Sequence, residues 1–509
     1  MEPGGDSYKK EPGTVLSVVV VLTSLGIMLT GIVVLRFDIH IVLLISFAFV
    51  CIVSNFLGYS FDDLVGCMKK PLGQSLPAMI IFIFIGLIIA SWICSGTVPV
   101  LVVYGIKVIS PKAFLPVAFV LCSIVSFAIG TSWGTIGTMG IVMMGISISL
   151  GIPVAVTAGA VISGAAFGDK MSPMSDTTNL APAAAGTTLY EHINAMWHVT
   201  GPSWVITLVV FYILGRRYAA DSVNLENIEL IEATISKHFH VTILVFLPMI
   251  VLLVWNILRL PAIPGMALGS AIAVCIAVSV QHMPLAEVIS ALNYGYQNST
   301  GVDVVDSLIQ RGGIQSMMYT FSLSCIAISF GGVLEQVGYL RKVINIFIHK
   351  IRRDKFMVPL VIGSTYLGTL SMGEVYLSLV LNGNLYRETF KERGLKLNLL
   401  SRLLEEGGTL MQYFIPWSTT GVFVAQTLGV TMGDYARYAV LNYVNPLLSI
   451  MLAMFGICVL RENPDVKKRR GGKLCKKLDL GRYLSFSGWD LRMQLFMQRL
   501  SFSMCSMMI

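Results

Sequence analysis

From Val15 to Leu35 the chain runs without a single charged side chain, and runs of this kind recur along most of its length. About 20 apolar residues in an α-helix match the thickness of a bilayer's hydrocarbon core. A chain built from such runs has only a helical bundle open to it, because backbone polar groups in lipid must be satisfied within the segment. The composition agrees: 55% of the 509 residues are hydrophobic and 13% are charged, with a mean hydropathy of +0.76. Soluble domains carry roughly 25% charged residues. The expected spans are 14–35, 39–57, 76–96, 113–131, 133–150, a short broken one at 153–168, 199–215, 240–258, 262–281, 314–334, 356–382, 411–430 and 434–460. Segment 98–109 is too short to cross alone and reads as part of a bent helix; 284–296 and 340–353 are amphipathic and read as interfacial or connecting helices. The fold class is therefore an all-α polytopic membrane protein with ten to thirteen transmembrane helices.

The segments before the first span and after the last carry the orientation signal. Lys9 and Lys10 precede the first span, and seven Lys and Arg lie between Lys467 and Lys477. Lys and Arg concentrate on the cytoplasmic side, so both termini are expected there, across an even number of crossings. The chain divides into a cytoplasmic N-terminus (1–13), a membrane domain (14–460) and a basic cytoplasmic tail (461–509). The tail should also lie against anionic lipid. The net charge of +8 is dispersed between spans and in this tail, which excludes a nucleic-acid partner; the bilayer itself is the expected partner, and a homodimer is compatible with the sequence. The nine cysteines form no CxxC pair and read as small buried residues, with no cofactor implied.

Between these spans lies a stretch that does not belong in a membrane helix: SGAAFGDKMSPMSDTTNLAPAAAG, residues 163–186. It holds Asp169, Lys170 and Asp176, several hydroxyls, Asn179, Pro173 and Pro182. Proline removes a backbone donor and breaks the helix. An aspartate at mid-bilayer costs about 3 kcal/mol on insertion scales, so such groups face a cavity and carry function. A solvated connecting loop would not need the small residues that flank this stretch.

A shift of 243 residues places Pro116 on Pro359, Gly130 on Gly373, Gly151 on Gly394, Gly164 on Gly407, Pro173 on Pro416, Ser175 on Ser418, Thr177 on Thr420 and Gly186 on Gly429. Shared glycines and prolines point to two copies of one unit, about 72–215 and 312–460, each with helices broken at the midplane. Paired interrupted segments of this sort mark the binding site of a secondary transporter.

The breaks gather hard oxygen donors. The first copy supplies Ser132 and Thr135 near Gly130, then Asp169, Ser175, Asp176, Thr177, Thr178 and Asn179. The second supplies Glu374 after Gly373, Glu406, and Ser418, Thr419 and Thr420 after Pro416. Carboxylates with neutral oxygens suit an alkali cation or a proton, whereas soft metals want thiolate or imidazole. Asp176 is the first choice for the exchangeable charge, because Thr177, Thr178 and Asn179 follow within one turn; Asp169 could instead pair with Lys170. An alkali cation is thus expected at Asp176 and Asp169, with protons competing for the same carboxylates; that the cation is sodium is what the resemblance below implies.

GTSWGTIGTMGI (130–141) followed by the 163–186 stretch resembles the signature of the NhaC-type sodium/proton antiporters, within the wider ion-transporter superfamily. SRLLEEGGTL and IPWSTTGVFVAQTLG are similar to that family's second-half motif, and the likeness spans roughly residues 10–460. The resemblance implies inverted repeats, alternating access and exchange of sodium for protons across the cell membrane. Its relatives include exchangers that couple the same ions to malate and lactate, the alternative reading here. The chain departs from the family pattern at Glu374-Val375-Tyr376, where an acid-Gln-Tyr triplet is common, and at Glu405-Glu406, where Glu-Asp is common. An intramembrane aspartyl protease is the remaining alternative, but its GxGD and YD settings are missing, so no enzyme activity is expected.

Overall fold

A computed structural model describes residues 10–461 apart from 222–224, 259, 349, 350 and 352. The expected tail, 461–509, therefore falls almost wholly outside the described residues. Helices account for nearly all of what is described, and the only β pairing among these residues is one isolated bridge, Leu395 to Arg461.

The helices that matter below are, in chain order, α1 (Thr14–Val34), α2 (Ile39–Phe56), α3 (Phe61–Cys94), α4 (Thr97–Val108), α5 (Phe114–Ile129), α6 (Ser132–Ser149), α7 (Val154–Met171), α8 (Asp176–Ala185) and α9 (Leu189–Asp221). The second part of the chain adds α10 (Ala262–Ser279), α11 (Ile314–Gln336), α12 (Tyr339–Ile348), α13 (Met357–Met372), α14 (Val375–Glu392), α15 (Leu397–Gly407), α16 (Thr419–Leu428) and α17 (Val440–Met454). Eight of the described helices are long and apolar enough to cross a bilayer, or nine when the 96° bent pair Glu229–His238 and Ile243–Asn256 is taken as one span. The protein is a multi-pass membrane protein.

That number sits below the ten to thirteen crossings expected, and the reason is local. Gly373 divides the expected span 356–382 into α13 and α14; the expected spans 411–430 and 434–460 are likewise broken, leaving α16 and α17 at ten and fifteen residues. Several shorter helices have no counterpart among the expected spans, and one of them is buried over most of its length. α15 carries Arg402, Glu405 and Glu406 and fails any hydropathy test, yet every residue from Leu399 to Gly407 is buried.

The 243-residue shift holds at the level of whole elements. α13, α14, α15 and α16 start at 357, 375, 397 and 419, where α5, α6, α7 and α8 start at 114, 132, 154 and 176. α6 and α14 also end in step, at Ser149 and Glu392, as do α8 and α16, at Ala185 and Leu428. The glycines at the breaks share one backbone state: φ is 77° at Gly130 and 69° at Gly373, a left-handed conformation that ends α5 and α13 and that a Cβ would disfavour.

Packing repeats as well. A Cβ on Gly164 would collide with the carbonyl of Phe119, and a Cβ on Gly407 with the carbonyl of Ile362, which is Phe119 shifted by 243. In lipid there is little hydrophobic drive between helices, so this close backbone approach supplies dispersion contacts that lipid chains would otherwise make. α6 lies at the centre, with 83% of its span buried in protein, whereas only 28% of α2 is buried and the rest faces outward. Phe82, Trp133 and Phe423 stack at centroid separations of 4.8 to 5.8 Å and join the two copies. All seven described cysteines are free; Cys275 is exposed, unlike the buried position expected for it, because it faces outward from α10.

Candidate functional site

The first copy builds its site where two broken helices meet. α7 ends at Met171, and Pro173 lies in the gap before α8. Asp169, in the last turn of α7, is only 7% exposed. Its Oδ1 accepts the Ser175 hydroxyl at 2.5 Å and its Oδ2 accepts the Ser132 hydroxyl at 2.7 Å. Ser175 caps α8 and lies 3.1 Å from the Thr177 hydroxyl, so one carboxylate accepts a hydroxyl from each of two breaks, with a third hydroxyl behind Ser175.

The other first-copy candidates are placed differently. Thr178 donates to the carbonyls of Asp169 and Lys170, both at 3.0 Å, tying α8 back onto the frayed end of α7. Asn179 donates to the carbonyls of Pro173 and Ser175 and so holds the turn in shape. Thr135 donates to the carbonyl of Thr131 within its own helix. Asp176 is the first residue of α8, and its side chain is exposed, with no hydrogen bond or ion pair to another described residue. Lys170 does not pair with Asp169: its ammonium, fully buried, donates to Asn445 at 3.2 Å.

In the second copy the same frame carries the charge on the opposite arm. The shift sets Thr131 against Glu374 and Asp176 against Thr419, while Asp169 falls on Gln412. Glu374, 2% exposed, caps α14 after Gly373 and accepts the Thr419 hydroxyl at 3.0 Å. The amide of Thr419 donates to the carbonyl of Gly373, locking one break onto the other. Thr420 donates to the side-chain carbonyl of Gln412 at 2.7 Å and accepts the Trp133 indole N–H at 3.0 Å, a bridge between the copies. Ser418 donates to the carbonyls of Gln412 and Ile415 and caps α16; it touches no carboxylate. Pro416 stands in the gap before α16.

Beside these lies a buried ionic layer. Arg402 and Glu406, both fully enclosed, pair at 3.3 Å on one face of α15. Glu405, fully buried on the same helix, lies beside the hydroxyls of Thr177 and Thr409. Tyr376 lies near acids of both copies, Asp169 and Asp176 of the first and Glu374 and Glu405 of the second, and Tyr413 lies near Asp169 and Glu405. Sequence reasoning did not single out Tyr376, Gln412, Trp133, Arg402 or Asn445. The 243-residue shift held the signal for three of them, since it pairs Gln412 with Asp169 and Tyr376 with Trp133. Among the described residues no three His, Cys, Asp or Glu side chains converge as a divalent metal would require.

The family model described as "Na+/H+ antiporter family" matches residues 8–171 and 164–457. The chain belongs to this family, in its NhaC-type branch. Among curated relatives, it is 34% identical to the Na(+)/H(+) antiporter NhaC of Alkalihalophilus pseudofirmus, over 87% of this chain and 96% of that one. It is 32% identical to the malate-2H(+)/Na(+)-lactate antiporter of Bacillus subtilis, over 90% of this chain and 98% of that one. It is also 32% identical to the arginine/ornithine antiporter ArcD of Halobacterium salinarum, over 86% and 90%. NhaC-type antiporters are secondary transporters, not enzymes, and the hydroxyl-lined carboxylates of this chain sit at the broken helices on which such transport is built.

Proposed function

We propose that this antiporter exchanges sodium for protons across the cell membrane, with Asp169 as the carboxylate for which the two cations compete. The observation that carries the reading is the pair of hydroxyls on Asp169, from Ser132 and Ser175, at a junction of two helix breaks. An isolated buried charge costs several kcal/mol, so a carboxylate in this position must be neutralised by a proton or by a cation. Only one of them can occupy it at a time, and that exclusion is the chemical basis of exchange. Neutral oxygens of Ser132, Ser175 and Thr177 replace part of the hydration shell that a sodium ion leaves behind. Asp176, at the exposed start of the same half-helix, serves as the entry charge. The two copies, taken as inverted repeats, open the site to one side and then the other, with both termini cytoplasmic. A homodimer is compatible with this reading and not required by it.

An organic acid would need a cationic side chain free to meet its carboxylate. Lys170 is engaged with Asn445 and Arg402 with Glu406, which supports the cation instead. The test is a set of proteoliposomes loaded with a pH-sensitive dye and challenged in turn with sodium, lithium, malate, lactate and arginine. Sodium alone should collapse an imposed proton gradient; a response to an organic substrate without one to sodium would replace this reading by the organic-acid exchanger.

A further inference from the structure

We infer that the chain carries two alkali-cation sites, one on Asp169 at the first copy's break and a second on Glu374 at the second copy's break, so that two cations are bound in one cycle. The inference rests on the sodium reading above and adds the number and location of the ions. Its first support is the second break itself. Glu374, 2% exposed just after the left-handed Gly373, accepts the hydroxyl of Thr419, the first residue of α16, at 3.0 Å. The 243-residue shift sets Glu374 against Thr131 and Asp169 against Gln412, so the two buried acids hold non-equivalent positions and each brings a negative charge to the break of its own copy.

The second support is space. Glu374, Tyr376 and Thr419 line a small cavity together with Ser75, Ser324 and Trp133. It leaves about 10 Å³ for the centre of a water-sized sphere, which is close to one water and ample for a bare alkali ion. The lining thus combines one carboxylate with the hydroxyl-bearing residues Ser75, Ser324 and Thr419, the mixture of charge and neutral oxygen that such an ion takes; the Ser324 hydroxyl donates to the Thr320 carbonyl, which leaves its oxygen lone pairs to accept. The Asp169 site has separate ligands: its hydrogen-bond partners, Ser132 and Ser175, are absent from the lining of this cavity. The bridge from Trp133 to Thr420 and on to Gln412 joins the two sites, so occupancy of one bears on the geometry of the other.

The test is direct binding of radioactive sodium to the purified full chain, counted per protein molecule at saturation. Two ions per chain are expected for the parent, one for Asp169→Asn and one for Glu374→Gln. Thr419→Val and Ser324→Ala keep both carboxylates, so folding is spared; each should weaken one of the two ions about tenfold and leave the other unchanged. One ion in the parent, whatever the variants do, overturns the second site while leaving sodium transport standing. No bound ion in the parent overturns the sodium reading and this inference together.

Discussion

Ser175→Ala and Ser418→Ala remove the same hydroxyl from equivalent places in the two copies, and the structure predicts that they do different things. Both serines cap a half-helix. Ser418 accepts the amide of Gly421 at 2.9 Å, a well-made cap, whereas Ser175 accepts the amide of Thr178 at 3.5 Å, at the edge of bonding distance. Losing an N-cap costs about 1 kcal/mol, so Ser418→Ala should lower thermal stability at least as much as Ser175→Ala. Only Ser175 also donates to a carboxylate, at 2.5 Å, the length of a charge-assisted bond. Hydrogen bonds to charged groups are worth about 1.5–3 kcal/mol, which is roughly a tenfold to hundredfold change in apparent affinity. Sodium-driven proton flux in proteoliposomes, read as a Michaelis curve in sodium, separates the two effects. Ser175→Ala should raise the apparent KM for sodium at least tenfold, and Ser418→Ala should leave it near the parent value although it loses the better-made cap. If KM shifts follow stability losses across the two variants, the reasoning that places sodium at Asp169 and Ser175 is refuted.

Gly164→Ala and Gly407→Ala each press a methyl onto a neighbouring backbone carbonyl, which cannot swing aside; each should cost about 3 kcal/mol, seen as lost membrane yield and melting temperature. Gly363→Ala, with open space around it in α13, should be neutral or mildly stabilising in the same assay. Arg402→Met strands a buried carboxylate at a cost of about 3–5 kcal/mol, and the double change Arg402→Met with Glu406→Leu should recover most of the lost yield. Asp306, outside the spans, accepts hydrogen bonds from Ser299 and Thr300, which hold its carboxyl down at about 2. A depressed folded value means that its contribution is present above the ordinary carboxylate range and is lost as pH falls through about 2, so the Thr300 amide should stay protected from hydrogen exchange at pH 3 and lose protection near pH 2.

The breaks were legible because glycine and proline leave a mark that needs no partner. Gly130 and Gly373 read as ends of helices from the sequence and adopt the same left-handed backbone. Asp169 and Asp176 were both legible as membrane acids, but the sequence favoured Asp176 for the exchangeable charge; that Asp169 is the buried one, with two hydroxyls on it, comes from the fold. Its ligands were legible only as types: nothing local says that Ser132, 37 residues away, reaches one oxygen while Ser175 takes the other. Lys170 illustrates the limit most clearly. Its neighbour in sequence is Asp169, yet its partner is Asn445, 275 residues on, because α17 packs beside α7. Hydropathy misled at α15 for a related reason: three charged residues look like a solvated segment until their partners, supplied by distant helices and by each other, are in place.

The central claim is that a buried carboxylate at the first copy's break exchanges sodium for protons. Sodium-driven proton flux by Asp169→Asn, reconstituted at parent density beside Asp176→Asn, tests it most directly. The asparagine keeps the size of Asp169 and much of its hydrogen-bonding shape but is neutral, so it offers no charge for which a proton and a sodium ion could compete. The account predicts no sodium-dependent flux from Asp169→Asn and reduced but measurable flux from Asp176→Asn, whose side chain is exposed. Exchange by Asp169→Asn at close to the parent rate would contradict it.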